Sequence, residues 1–258
     1  MKILLTGHKG FIGSHLLTAL LEKGHDVSTY EWGETLPSVM DQDWVIHVGA
    51  ISSTTEKNIE KIMLQNVDFT TQLYKACKTF GVNFQFASSA SLYGLNREFY
   101  EDSPLDPKTP YAWSKYLCER FIRGRIGGNI TQIFRYFNVY GPENEEHKGN
   151  QASPHYQFAK QARENGVIKV FKGSENYHRD FIHVSKIVNY HLKFLKCEQS
   201  GIFNLGCGKT ESFLDVAKSF NVPIVEIDMP ENLKCSYQKY TCADMTRTRT
   251  VLHEAEIH

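Results

Sequence analysis

The apolar positions of the chain fall into an alternating rhythm of short runs and helical stripes. Lys2 to Thr6 is an apolar run ending at glycine, and from Phe11 to Lys23 the residues Ile12, Leu16, Leu17, Leu20 and Leu21 recur at helical spacing, with Gly24 as a stop. Val27 to Glu31 reads as a second strand, which closes a right-handed βαβ unit. Asp43 to Val48 is a third strand, followed by the tight passage Gly49-Ala50. Next come a helix from about Ile59 to Phe80, a strand over Asn83 to Ala87 ending in Ser88-Ser89-Ala90-Ser91, a helix over Pro110 to Arg125, and a strand over Ile130 to Tyr136. This alternation predicts an α/β fold with a Rossmann-like, doubly wound parallel sheet.

Past Pro142 the pattern loosens. Glu143 to Asn150 reads as a charged loop, Ser153 to Glu164 as a helix and Lys169 to Phe171 as a short strand. The chain then returns to the sheet through Asp180 to His183, a helix over Ser185 to Lys196 and a last strand at Gly201 to Leu205. Ser212 to His258 is assigned to a smaller lobe. Residues 1–141 plus 176–206 are thus expected to form the sheet domain, and residues 142–175 plus 207–258 a small substrate-binding lobe.

Composition narrows the function classes. The 258 residues are 41% hydrophobic, enough for a full core, and 29 basic side chains balance 29 acidic ones. That balance points away from nucleic acid and anionic membranes and toward a small-molecule substrate. Cys77, Cys118, Cys197, Cys207, Cys235 and Cys242 are scattered without metal-ligand spacing, which fits reduced thiols and no metal. The opening Lys2-Ile3-Leu4-Leu5 leaves no signal peptide, and no apolar run approaches the roughly 20 residues a bilayer needs, so a cytoplasmic protein is expected.

The chemistry sits in two motifs. In Thr6-Gly7-His8-Lys9-Gly10-Phe11-Ile12-Gly13, Gly7 permits a sharp bend, Gly10 lets the backbone approach a pyrophosphate, and Gly13 lets the helix pack on the strand. Glu31, at the end of the second strand, suits a ribose 2′-hydroxyl and repels a 2′-phosphate, so NAD is favoured with NADP as the alternative. In Tyr111-Ala112-Trp113-Ser114-Lys115, a lysine one turn from a phenol can draw a pKa of about 10 toward neutrality, and Ser89 can bond the same substrate oxygen. Tyr111, Lys115 and Ser89 are therefore the candidate catalytic set.

These stretches, with Ser88-Ser89-Ala90-Ser91-Leu92-Tyr93-Gly94 and Arg135-Tyr136-Phe137-Asn138-Val139-Tyr140-Gly141-Pro142, resemble the extended short-chain dehydrogenase/reductase superfamily of nucleotide-sugar epimerases and dehydratases. Ile51 to Glu56, Glu146 to Ser153, Phe171 to Phe181 and Gly201 to Gly206 resemble one branch, the ADP-L-glycero-D-manno-heptose 6-epimerases. The resemblance implies an isomerase acting on a nucleotide-diphosphate sugar through a tightly bound nicotinamide cofactor, oxidising C6 and reducing it from the other face, in lipopolysaccharide carbohydrate metabolism. It implies Tyr111 and Lys148 as two acid/base groups on opposite sides of that carbon. A second base also answers a geometric need, because one fixed phenol serves only one pose of the inverted alcohol well.

The resemblance also implies cofactor contacts from Gly7, Gly10, Phe11, Ile12, Gly13 and Glu31, from Gly49, Ala50, Asn66 and Ala87, and from Tyr111, Lys115 and Phe137. Substrate contacts are implied for Ser89, Asn138, Lys148, Arg179 and Tyr237. Arg179 would hold the diphosphate, with an ion pair to Asp180 as the competing account. The helices of about Ile59 to Phe80 and Pro110 to Arg125 lie where relatives dimerise, so a homodimer or larger assembly is expected.

The chain departs from that pattern twice. Residues 32–42 are too few for the helix, strand and further helix that the family fits after Glu31, so one βα unit and the loop covering the adenine are missing. The tail ends at His258 where the family continues through a terminal helix of the substrate lobe. Two alternatives stay open: another nucleotide-sugar 4-epimerase or dehydratase on the same scaffold, and a non-catalytic dinucleotide-binding protein. Ala90 after Ser89, where dehydratases commonly carry an acid, weighs against a dehydratase.

Overall fold

The computed structural model describes residues 1–53, 56–141, 145–234 and 237–257. Thr54 and Thr55 of the Ile51 to Glu56 motif, residues 142–144 of the charged loop, Cys235 and the final His258 lie outside the described residues. β1 (Lys2–Thr6) buries Ile3, Leu4 and Leu5 completely, as a strand covered on both faces must. α1 (Phe11–Glu22) follows, then β2 (Asp26–Tyr30), paired in parallel with β1. Residues 31–43 run directly to β3 (Trp44–His47) on the other side of β1.

The helix expected over Ile59 to Phe80 is not continuous. α2 (Ile59–Ile62) and α3 (Phe69–Phe80) are joined by a π-helical turn, Met63–Asp68, and that wider turn buries Asn66. β4 (Asn83–Ser89), α4 (Pro110–Arg123) and β5 (Thr131–Tyr136) come next. After them the chain forms β6 (Asn138–Tyr140), α5 (Pro154–Asn165), β7 (Ile168–Phe171), β8 (His178–Arg179) and β9 (Phe181–His183). It continues through α6 (Val184–Phe194), β10 (Gly201–Leu205), β11 (Glu211–Ser212), α7 (Phe213–Lys218), β12 (Ile224–Ile227), α8 (Glu231–Lys234) and α9 (Thr246–Ile257).

Six parallel strands form the central sheet in the order β10-β5-β4-β3-β1-β2, so the expected doubly wound sheet is present. β2 is the edge strand, and the chain goes straight from it to β3, as the shortened stretch after Glu31 requires. Successive residues of β1 feed opposite layers. Leu4 packs with Val45, Phe84, Leu73 and Tyr74 beneath α3 and α4, whereas Ile3 and Leu5 pack with Leu16, Leu20, Ile46 and Val188 beneath α1 and α6.

A buried ion pair ties β5 to α4. Arg135 on β5 bonds both Glu119 oxygens, through Nε at 2.9 Å and Nη2 at 2.7 Å, and its Nη1 donates to Tyr93 and to the Glu101 carbonyl. The Ser88 hydroxyl donates to the same carboxylate at 2.5 Å. With both ions buried, their remaining donors and acceptors need partners, and this network supplies partners for four of the five guanidinium N–H groups and for both carboxylate oxygens.

Beyond the sheet, β7 pairs with β12, β8 with β11 and β6 with β9. Phe158, Ile168, Val170, Phe181, Val216 and Ala217 make a separate apolar cluster there. The tail differs from its expected place: α9 packs against β10, where Leu252 joins Phe134, Phe194 and Phe203, and Thr248 donates to the Asn204 carbonyl at 2.7 Å. Among the described residues, no helix is long and apolar enough to cross a membrane.

Candidate active site

The turn from β1 to α1 is built by steric exclusion. Gly7 stands at φ +77°, where a Cβ would lie 2.4 Å from the Gly49 Cα, and a Cβ on Gly13 would lie 2.0 Å from the Gly7 carbonyl oxygen. At Gly10 only the Gly7 oxygen, at 3.3 Å, is near. Gly10 also serves as the N-cap of α1 without a side-chain cap, so the first helical amides are left for another acceptor.

A buried histidine holds the second glycine passage against the first. His47 Nδ1 meets the Thr6 hydroxyl at 2.6 Å, Nε2 meets the Thr70 hydroxyl at 2.8 Å, and the Gly49 amide donates to Thr6 Oγ1 at 3.3 Å. Complete burial pushes the His47 pKa down to about 3, so it works as a neutral hydrogen-bonding clip.

These elements border a cleft of about 620 Å³. Of the residues expected at the site, Gly7, Gly10, Phe11, Ile12, Gly13, Glu31, Gly49 and Ala50 line one part of it, and Ser89, Tyr111, Phe137, Asn138 and Lys148 line the rest. A dinucleotide fits this donor set: a Cβ at Gly7 or Gly13 would collide with backbone, the first turn of α1 carries no side-chain cap among the described residues, and an acid, Glu31, borders the same cleft.

Tyr111 enters the cleft from the first turn of α4, which Thr109 caps by accepting the Ala112 amide at 3.1 Å and Pro110 initiates. The lowering expected from Lys115 is not what the structure shows: burial raises the Tyr111 pKa, and the hydrogen bond with Ser89, not the lysine, draws it partly back. Ser89 also accepts the Ser91 amide at 3.1 Å, which fixes its hydroxyl. The Lys115 ammonium lies behind, donating to the Ala87 carbonyl at 2.7 Å and 6.0 Å from the Tyr111 ring, with its pKa lowered by burial to about 8.

Lys148 borders the same cleft from a separate segment, a 3₁₀ turn, Glu146–Gln151, within the loop expected there. Its ammonium is 3.9 Å from the Phe11 ring centroid and 3.3 Å from Glu145, and burial lowers its pKa while Glu145 raises it. Glu145 is fully buried and gathers the Gly141 amide, the Ser153 amide at 2.7 Å and the Ser153 hydroxyl at 2.8 Å. Sequence reasoning missed it, because nothing in the acidic loop distinguishes Glu145 from Glu143 or Glu146.

The remaining expected residues lie off this cleft. Asn66 grips Ile51, accepting its amide at 2.8 Å and donating to its carbonyl, and also bonds the Ser114 hydroxyl, so it braces the loop after β3 against α4. Ala87 is buried behind, where its carbonyl holds Lys115. Tyr237 lines a second cavity of about 670 Å³ with Phe171, Tyr177 and Phe213, which adjoins the first at Ala152 and Pro154.

Arg179 lies over the Phe213 and Tyr237 rings, at 5.5 and 5.3 Å. It is buried, and among the described residues no carboxylate pairs with it; burial lowers its pKa to about 10. Asp180 does not serve as its partner. That carboxylate instead accepts amides of Cys207, Gly208 and Ala243.

A model of the NAD dependent epimerase/dehydratase family matches residues 3–206. Among solved structures, ADP-L-glycero-D-manno-heptose-6-epimerase from Helicobacter pylori superposes with a TM-score of 0.86 at 24% identity, covering 98% of this chain and 90% of that one. UDP-glucose 4-epimerase from Thermotoga maritima gives 0.85 at 23%, covering 98% and 93%. TunA, an NAD dependent NDP-hexosamine 5,6-dehydratase, gives 0.81 at 25%, covering 97% and 90%.

Proposed function

The chain belongs to the NAD dependent epimerase/dehydratase family, and from that premise we propose that it is a nucleotide-sugar epimerase of the ADP-L-glycero-D-manno-heptose 6-epimerase kind, working with two acid/base groups. The observation that carries this reading is that Tyr111, on α4, and Lys148, on the 146–151 turn, border one cleft, with Ser89 bonded to the phenol. When bound, NAD supplies a reversible hydride acceptor that is restored in each cycle.

The protonation chemistry divides between the two groups. Burial keeps Tyr111 Oη protonated and makes it the donor, whereas the same effect on Lys148 moves its amine toward the neutral form that accepts a proton from a carbinol hydroxyl. In the opposite pose the roles reverse. Ser89 Oγ orients the sugar oxygen toward Tyr111, and Phe137 and Asn138 border the same cleft. The Arg179 guanidinium, buried without a carboxylate, suits a diphosphate, and the aromatic second cavity with Tyr237 suits the nucleoside end. Glu31 favours NAD over NADP.

The test is turnover of ADP-heptose by Lys148→Ala and Tyr111→Phe, followed by the epimer ratio. Each variant is expected to lose about 100-fold or more in kcat, the usual contribution of a positioned acid or base. Lys148→Ala running as fast as the natural enzyme would sink the two-base mechanism and leave the single-tyrosine 4-epimerase alternative.

A further inference from the structure

We propose that Trp32 is the cofactor's adenine-stacking residue, taking the place of the βα unit that this chain lacks beyond its edge strand. The proposal rests on the large cleft being the dinucleotide site. Past Glu31 the cleft continues into a small recess of about 90 Å³ bordered by Tyr30, Trp32, Ile51, Gln65 and Phe69. Gly7, Glu31, Gly49 and Ala50 border both spaces, so the recess is the Glu31 end of the same trough.

The recess is aromatic. Phe69 stacks on Tyr30 at 5.1 Å and 19°, and Trp32 stands edge-on to Phe69 at 5.8 Å and 86°. Trp32 is 44% exposed although it carries the largest apolar surface of any side chain, and Tyr30, Ile51 and Phe69 border the recess beside it, with Gln65 and Glu31 as its polar neighbours. A flat aromatic base one residue beyond the ribose-reading acid would cover that face. Geometry leaves few other candidates: β2 is the sheet edge, and residues 31–43 pass directly to β3 with no further strand or helix to close over a base.

The test uses the full chain freed of co-purified nucleotide and titrated calorimetrically with NAD, with ADP-ribose, which keeps the adenosine end, and with nicotinamide mononucleotide, which lacks it. Trp32→Ala is expected to weaken NAD and ADP-ribose about tenfold, as loss of one base-aromatic stack does, while leaving nicotinamide mononucleotide unchanged. Trp32→Phe should recover most of the affinity. Indole fluorescence of the natural protein should be quenched by ADP-ribose, and the quench should vanish in Trp32→Phe. Equal affinities for ADP-ribose in Trp32→Ala and the natural protein overturn the proposal while leaving the dinucleotide site intact. A natural protein that binds none of the three ligands overturns the dinucleotide reading itself, and the proposal with it.

Discussion

Substituting Gly13 by alanine tests whether packing or ligand approach dictates each glycine of the first turn. The added methyl would stand 2.0 Å from the Gly7 carbonyl oxygen and 2.7 Å from its carbon, against an ordinary contact near 3.4 Å. Both atoms belong to backbone, so no side-chain rotation relieves the overlap, and α1 must move off the turn by about 1 Å. Overpacking of that kind costs about 1–3 kcal/mol. At about 2–4 °C per kcal/mol for a chain this long, Tm should fall by about 2–12 °C. The displaced α1 amides should also bind NAD at least about tenfold more weakly. Gly10→Ala makes the contrast, because its methyl meets only one atom, at 3.3 Å. It should melt within about 2 °C of the natural protein yet bind NAD poorly, since the methyl occupies the approach to the pyrophosphate. Differential scanning fluorimetry and calorimetric titration read both quantities. Gly13→Ala melting with the natural protein, or Gly10→Ala binding NAD normally, would refute the division of roles.

Two further outcomes follow from buried charge. Glu119→Leu leaves the Arg135 guanidinium uncompensated at 0% exposure and should cost about 3–5 kcal/mol, read from the denaturant midpoint, whereas adding Arg135→Met should restore much of that loss; equal stability of the single and double variants would show the pair to be unimportant. His47 and His191 are buried with pKa values near 3, below the unfolded value of 6.5, so as pH falls below 6.5 the unfolded chain binds protons first. Each should remove about 2 kcal/mol between pH 7.5 and pH 5, and His191→Gln should flatten that loss by about half; a pH profile unchanged by the substitution would disprove the linkage.

What was legible in the sequence was local. Gly13 packs on Gly7 within one turn, and Tyr111 and Lys115 lie one helical turn apart, so their spacing carries their geometry, whereas the approach of Gly49 to Gly7 has no local signal. The alternating apolar runs likewise give the sheet, because strands buried on both faces have no other composition. Features that depend on distant partners left no such mark. The π turn at Met63–Asp68 arises where Asn66 must reach Ile51 and Ser114, a demand that helical periodicity does not encode. α9 is mostly polar and returns to β10 through little more than Val251 and Leu252, too narrow a stripe to announce its partner. Glu145 carries its role only because the chain on either side converges on it.

That convergence makes the mouth of the cleft a cassette. Glu145 fastens the end of β6 through Gly141 and the start of α5 through Ser153, so the segment 146–152 leaves and rejoins the scaffold at one buried carboxylate. Chain length between fixed ends costs only logarithmically. This border of the cleft can therefore be recut in sequence or length while its two anchorages stay put, which separates the evolution of what the cleft admits from the evolution of the fold beneath it.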